Sequence, residues 1–126
     1  MQNTLKDCIN RISVSQKFFF LETELISSKI VYNFLKFLYK EGFIRGFKKE
    51  KKKIIVYLKY SNNKPVISYI KNISTKNKRV YMSYSDVLKC SNLKETLVLL
   101  TPQGFFSSKN CFDSDFSGGE VVCKIF

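Results

Sequence analysis

Apolar residues recur at three- and four-residue spacing in two segments of the chain, and this spacing predicts two amphipathic helices. The first segment covers residues 4–14. The second follows a Ser-Ser pair ending at Ser28, a typical N-cap residue, and stops at Gly42, where a C-terminal cap is expected. Phe34 and Phe37 fall on the apolar side of this helix, so we expect both rings in the core.

Short apolar runs between polar turns predict the strands. We expect strands at residues 18–21, 43–47, 54–60, 66–70 and 79–82, a hairpin over residues 96–106, and a closing strand over residues 118–126. The lysine-rich residues 48–53 fit a hairpin tip, and Ser85 fits the cap of a short helical turn.

This order of elements predicts an α+β fold of two small α/β lobes. A turn cluster at residues 61–65 favours a boundary between an N-terminal α/β lobe, 1–62, and a mainly β C-terminal lobe, 63–126. The first lobe has the order helix-strand-helix-strand-strand, and we expect it to pack on the second.

Glycines lie at two places that pairing of the hairpin with the closing strand would bring to one edge. These are residues 101–104, which contain a Pro-Gln-Gly turn, and residues 118–120. Glycine there would let a backbone approach a ligand closely. Two ordinary hairpin turns are the alternative.

The net charge of the chain indicates which kinds of partner it can bind. The 126 residues include 22 Lys and Arg against 10 Asp and Glu, a net charge of +12, which suits a polyanion such as nucleic acid or an anionic membrane surface. No apolar run approaches the roughly 20 residues of a transmembrane helix, so we expect a soluble protein. With 19 Lys, only 3 Arg and no Trp, the composition is typical of AT-rich coding, as in many organelles.

Two basic clusters could neutralise phosphates. One is residues 48–53, for which a solvated hairpin tip is an equally good interpretation. The other contains Lys71, Lys76, Lys78 and Arg79, beside the aromatic rings of Tyr81 and Tyr84. Planar rings beside cations are typical of RNA-binding surfaces.

Metal and catalytic chemistry find little support in the sequence. The four cysteines, Cys8, Cys90, Cys111 and Cys123, are scattered and the chain has no His, so we expect reduced, mostly buried thiols and no zinc site. Asp113 and Asp115 half-resemble a calcium loop, but Lys124 stands where its bidentate Glu belongs. We expect no metal, no cofactor and no enzymatic activity.

Several segments together carry a family resemblance. They are Asn10-Arg11-Ile12-Ser13-Val14, Ser28-Lys29-Ile30, Glu41-Gly42-Phe43-Ile44, Leu58-Lys59-Tyr60, Ile73-Ser74, Arg79-Val80-Tyr81, Leu100-Thr101-Pro102-Gln103-Gly104 and Gly118-Gly119-Glu120-Val121. In this order and spacing they resemble the eighth protein of the small ribosomal subunit, bacterial type (the S-eight family). The likeness covers nearly the whole chain.

The resemblance implies direct binding to the central domain of small-subunit rRNA during assembly, among neighbouring small-subunit proteins. It implies no membrane and no small-molecule substrate. The implied specific contacts are Thr101, Pro102, Gln103, Gly104, Gly118, Gly119 and Glu120, with support from Lys76, Lys78, Arg79 and Tyr81, and with Arg11 and Lys29 reaching a second RNA segment. A carboxylate such as Glu120 can accept hydrogen bonds from base amino groups or a 2′-hydroxyl.

Departures from the family pattern indicate a divergent, organelle-encoded version. Leu100 and Pro102 stand in place of two serines, Gln103 in place of a basic residue, and Lys76-Asn77 in place of Pro-Gly. We therefore predict the mitochondrial matrix, in the mitochondrial ribosome, with the plastid or the bacterial cytoplasm as alternatives.

Two other functions stay open. One is a basic nucleic-acid-binding protein outside the ribosome, which would not travel with the small subunit on sedimentation. The other is an RNA-processing enzyme, against which the lack of His and of clustered carboxylates argues.

Overall fold

The computed structural model describes residues 2–74, 78–90, 96–102, 104–108 and 118–125. Its elements are α1 (Gln2–Lys17), β1 (Glu22–Ile26), α2 (Lys29–Glu41), β2 (Ile44–Glu50), β3 (Lys53–Leu58), β4 (Tyr60–Ser61), β5 (Lys64–Pro65), β6 (Ile70–Asn72), β7 (Tyr81–Ser83), α3 (Tyr84–Cys90), β8 (Thr96–Thr101), β9 (Gly104–Ser107) and β10 (Gly118–Ile125). The α+β class is confirmed. In the part of the chain described, no helix is long and apolar enough to cross a membrane.

Contacts within the chain form two compact units, Met1–Ile70 and Lys71–Phe126. The lobe boundary between residues 62 and 63 stays a prediction. The first unit has the predicted order helix-strand-helix-strand-strand, with its three main strands in the antiparallel order β1-β3-β2.

The core of the first unit follows from the alternation in its central strand. Ile54, Val56 and Leu58 on β3 are buried, and the residues between them are not. Strands with this period of two bury one face. Helices α1 and α2 supply the other side of the core with Leu5, Cys8, Ile9, Ile12, Val31, Phe34, Leu35 and Leu38, all buried. The predicted burial of Phe34 and Phe37 is confirmed.

The prediction of a strand at residues 18–21 is wrong, because these residues close the C-terminus of α1. The Phe19 amide donates to the Gln16 carbonyl at 3.2 Å, and the Phe20 amide donates to the Ser15 carbonyl at 2.9 Å. Phe19 has a φ of 60°. These two bonds around a left-handed residue make a Schellman cap, a position that usually holds glycine. An unalternating apolar run carries no signal that separates such a cap from a strand.

Helix α2 begins and ends where the sequence predicts. The Val31 amide donates to the Ser28 hydroxyl at 3.3 Å, and Gly42 takes the left-handed conformation with a φ of 83°.

The hairpin that follows α2 has a shorter tip than predicted. Strands β2 and β3 extend through most of residues 48–53, and only Lys51 and Lys52 form the turn.

Gln16 explains why the predicted strand at residues 66–70 is wrong. Its side chain is buried, donates to the Lys59 carbonyl at 3.5 Å and accepts from the Ile67 amide at 3.2 Å. The backbone at Ile67 therefore bends to meet a helix side chain instead of a neighbouring strand. Of the predicted strand, only Ile70 lies in β6.

The second unit is built on a five-stranded sheet in the order β6-β10-β8-β9, with β7 also paired to β10. One sheet face carries the buried Leu99 and Val121, which pack with Val87 of α3. Helix α3 begins at Tyr84, ahead of the predicted cap Ser85. Its cap is Ser83, whose hydroxyl accepts from the Asp86 amide at 3.4 Å while the Asp86 carboxylate accepts from the Ser83 amide at 3.4 Å.

Replacing Gln16 tests whether its side chain holds the bend at residues 66–69. We expect Gln16→Leu to lower the free energy of unfolding by about 1–3 kcal/mol, because two backbone groups would lose their partner in a buried setting. Urea denaturation measures this. The neighbouring change Lys17→Leu is the control, since Lys17 is exposed and its substitution should cost less than about 0.5 kcal/mol. Equal effects of the two changes would contradict the assignment.

Candidate RNA interface

Strand β10 brings the predicted site segments of the second unit together. Glu120 pairs with Tyr81 of β7 on one side and with Leu100 of β8 on the other, and Gly119 pairs with Met82. The hairpin and the closing strand therefore pair as the sequence suggested. Residues directly opposite one another project to the same face of a sheet. Tyr81, Glu120 and Leu100 thus share the sheet face opposite Leu99 and Val121.

The two glycines of β10 are required by the sheet itself. Gly118 has a φ of 129°, and a Cβ there would lie 2.6 Å from the carbonyl oxygen of Met82. A Cβ on Gly119 would lie 2.9 Å from both the Leu100 carbonyl oxygen and the Thr101 methyl carbon. The backbone that closely approaches these glycines is therefore that of the neighbouring strands.

The hairpin between β8 and β9 lies beside the start of β10, because the Thr101 methyl group adjoins Gly119. The Thr101 hydroxyl donates to the Gly104 carbonyl at 3.1 Å and closes the turn. Pro102 at the tip is exposed. Gln103 lies outside the described residues. Two of the four predicted loop residues thus fix the turn, and Pro102 presents a surface.

A buried carboxylate holds an exposed guanidinium at this edge. The Arg79 Nε atom lies 3.8 Å from the Glu120 Oε1 atom, and the side chains are 52% and 8% exposed, respectively. Tyr81, which follows two residues after Arg79, is 67% exposed. Glu120 thus pairs with the exposed Arg79 by charge and lies opposite the exposed Tyr81 across the paired strands. Nothing in the sequence signals the ion pair, since its partners are far apart in the chain.

Ser74 was not a predicted site residue, but its hydrogen bonds position the segment of residues 79–81. Its buried hydroxyl donates to the Val121 carbonyl and accepts from the Val80 amide at 3.0 Å. The Val121 amide in turn donates to the Val80 carbonyl at 2.8 Å. Val80 is thereby fixed against β10, with Arg79 and Tyr81 on either side of it. The only signal for Ser74 in the sequence was its place in Ile73-Ser74, one of the segments that carry the family resemblance.

The remaining predicted residues are distributed over both units. Lys78 is exposed beside Arg79. Lys76 falls outside the residues that the structure describes. Arg11 and Lys29 belong to the first unit, where Arg11 Nη1 donates to the Glu24 carbonyl at 3.4 Å and Lys29 is the exposed first residue of α2.

Metal-ligating side chains do not cluster in the described part of the chain: no group of three His, Cys, Asp or Glu residues lies together there. Asp113 and Asp115, the calcium-loop candidates, lie outside it, as do Cys111 and the side chain of Cys90. Cys8 and Cys123 are buried and reduced, and burial raises the pKa of the Cys8 thiol to about 12.

The glycine assignment is tested by a matched pair of substitutions. We expect Gly118→Ala to lower the free energy of unfolding by about 1–3 kcal/mol, because a methyl group would meet the Met82 carbonyl in a strained conformation. Gly46→Ala is the control, since Gly46 has open space around it and no left-handed φ, and we expect a change below about 0.5 kcal/mol. Similar urea midpoints for the two variants would show that β7 and β10 do not approach this closely.

Comparison with known proteins agrees with this fold over the whole chain. The family described as Ribosomal protein S8 matches residues 3–126. Small ribosomal subunit protein uS8 of Oleidesulfovibrio alaskensis is 31% identical over 126 residues, which cover 100% of this chain and 99% of that protein. The uS8 protein of Hyphomonas neptunium is 35% identical, with 100% and 98% coverage, and uS8m of Acanthamoeba castellanii is 36% identical, with 96% and 97% coverage. The chain belongs to the ribosomal protein S8 family of the small ribosomal subunit.

Proposed function

We propose that this chain is a structural constituent of the small ribosomal subunit that binds small-subunit rRNA directly, in its central domain, and supports assembly of the subunit for translation. One observation supports the site most strongly. The buried carboxylate of Glu120 forms an ion pair with the exposed Arg79 and lies opposite the exposed Tyr81 on the neighbouring strand, in a chain of net charge +12. We name the surface formed by residues 78–81, 101, 102, 104 and 118–120 the β10 edge.

Arg79 supplies the strongest contact of the β10 edge. A guanidinium carries five N–H donors in a fixed fork, so Arg79 can keep its 3.8 Å ion pair with Glu120 and still donate to phosphate or base oxygens. Anchoring by Glu120 reduces the rotamer freedom that Arg79 would lose on binding. Glu120 thus acts chiefly by positioning Arg79, rather than as the direct acceptor of RNA hydrogen bonds that the sequence suggested.

Tyr81 and the hairpin give the β10 edge its shape selectivity. An exposed tyrosine ring can stack on an unpaired base or pack on a ribose, and its hydroxyl can bond a 2′-hydroxyl. Thr101, Pro102 and Gly104 belong to the adjoining turn. A wide, shallow minor groove at an irregular RNA stem fits such a surface better than a regular duplex does.

The first unit is proposed to reach a second RNA segment through Arg11 and Lys29. Lys29 stands at the N-terminus of α2, where a positive charge opposes the helix dipole. The position therefore does not serve helix stability, which is consistent with a role in phosphate binding.

The mitochondrial ribosome is the proposed location. The lysine-rich, Trp-free composition and the 36% identity to a protein named uS8m support it, although the two bacterial relatives are nearly as similar. No catalytic role is proposed. The S8 family is one of ribosomal structural proteins.

Binding of a short central-domain rRNA stem tests the β10 edge. We expect Arg79→Gln to weaken cognate binding by roughly 10- to 100-fold and to reduce the salt dependence, because a charged contact is lost. Glu120→Gln should weaken binding less, by roughly 3- to 10-fold, since Arg79 remains but loses its anchor. Tyr81→Leu should cost about 1–3 kcal/mol of binding free energy if a base stacks on the ring.

Lys64→Gln is the control for these variants, since it removes an exposed positive charge from the other unit. Measurements against an unrelated stem separate specific from general binding. If the three variants of the β10 edge bind both stems as the Lys64→Gln control does, the β10 edge is not the RNA site. Sedimentation through raised salt tests the ribosomal role independently, because a ribosomal protein should travel almost wholly with the small subunit.

A further inference from the structure

The outer side of α2 and β2 carries a second surface in which tyrosines and lysines alternate. We name it the Tyr–Lys face. It consists of Tyr32, Lys36, Tyr39 and Lys40 on α2, with Phe47 and Lys49 on β2. None of these residues takes part in the β10 edge, and among them only Lys49, in the basic cluster at residues 48–53, carried a suggested role in binding phosphates.

Helix geometry explains how the face forms. An α-helix turns by about 100° per residue, so Tyr32, Lys36, Tyr39 and Lys40 span only about 100° of its circumference. The buried residues Val31, Phe34, Leu35, Phe37 and Leu38 occupy the opposite side. The face is therefore not needed for the core.

Positive charge converges on one ring of this surface. The Lys36 ammonium lies 5.4 Å from the centre of the Tyr32 ring, and the Lys49 ammonium lies 5.6 Å from it. Among the described residues, no carboxylate lies within 4.0 Å of Lys36, Lys40 or Lys49. Positive charge gathered around one ring raises the local potential, which an anion bound beside these lysines would lower.

Aromatic rings provide the other half of the surface. Tyr32 is half-buried and packs edge-to-face on Phe47, with 5.5 Å between ring centres, so its orientation is fixed. Tyr39 is 51% exposed about two turns further along the helix. An exposed ring flanked by lysines matches the stacking platforms of proteins that bind single-stranded nucleic acid.

We propose that the Tyr–Lys face binds an unpaired segment of RNA, with successive phosphates at Lys49, Lys36 and Lys40 and a base stacked on Tyr39. An acidic protein segment is the rival occupant. The exposed apolar surface here is aromatic rather than aliphatic, which favours a nucleotide base over a protein side chain. The proposal rests on the proposed function only in that the partner is RNA, and its site is separate from the β10 edge.

Two triple variants with the same change in net charge test the proposal. Lys36→Gln, Lys40→Gln and Lys49→Gln remove the lysines of the Tyr–Lys face. Lys6→Gln, Lys17→Gln and Lys64→Gln remove three exposed lysines elsewhere in the first unit. Glutamine keeps good helix propensity, so we expect both proteins to fold, and their circular dichroism spectra check this.

The probe is an unstructured oligouridine 12-mer, titrated across a salt series. We expect the Tyr–Lys variant to bind at least roughly 10-fold more weakly than wild type and to lose about two units of salt slope, since each lost phosphate contact on a single strand contributes about 0.7. The control variant should bind within about 3-fold of wild type. Equal losses in the two variants would overturn the proposal, because only net charge would then matter.

Stacking is tested by Tyr39→Leu, with Phe18→Leu as the matched loss of an exposed ring. Only Tyr39→Leu should weaken oligouridine binding, by roughly 5-fold or more. Neither this variant nor the Tyr–Lys variant should lose the preference for the cognate stem over an unrelated stem, whereas Arg79→Gln should. Failure at the Tyr–Lys face is thereby distinguished from failure at the β10 edge.

A photocrosslinking amino acid identifies the natural occupant. Benzoylphenylalanine replaces Tyr39 in the full chain, and the chain is assembled into small subunits before irradiation. Crosslinks to rRNA support the proposal. Crosslinks to protein alone, or none at all, would overturn it.

Discussion

Hydrogen bonding along both edges of strand β10 is the constraint on which the second unit depends. The strand lies between β6 and β7 on one side and β8 on the other, so it links segments that are distant in sequence. Gly118 and Gly119 permit this, because a side chain at either position would meet the backbone of a neighbouring strand. The same pairing carries Tyr81, the Thr101 turn and Glu120 to one edge. The pairing of β10 therefore determines both the fold of the second unit and the position of the candidate site.

Burial of Glu120 changes the interpretation of the site. An exposed carboxylate in a chain of net charge +12 would repel an RNA backbone, but a buried carboxylate paired to Arg79 fixes a cation at the surface. Ser74 adds the backbone restraint on Val80 between Arg79 and Tyr81. Groups that are ordered before a ligand binds lose less entropy on binding. The β10 edge is thus an ordered surface, whereas flexible lysines alone would give binding without selectivity.

Local signals in the sequence predicted those elements whose cause is local. Helix α2 was predicted from its period and from the caps Ser28 and Gly42, and the hairpin of β8 and β9 from its Pro-Gln-Gly turn. The prediction of a strand at residues 18–21 was wrong because Phe19 occupies a cap position usually held by glycine. The prediction of a strand at residues 66–70 was wrong because Gln16, which is far away in sequence, bends the backbone there. The Arg79–Glu120 ion pair forms only once the sheet has brought the two residues together, so no local pattern predicts it. The Tyr–Lys face could have been found, since its spacing along α2 is helical.

The most direct test of the central claim is a map of amide chemical shifts in the isotopically labelled chain on addition of a short central-domain rRNA stem. The account predicts that the largest changes among assigned residues cluster at 78–81, 101, 102, 104 and 118–120, persist at raised salt, and are absent with an unrelated stem. Changes that spread over lysines throughout the chain and vanish with salt would contradict it. So would a cluster elsewhere, because the β10 edge would then be a structural feature without a role in RNA binding.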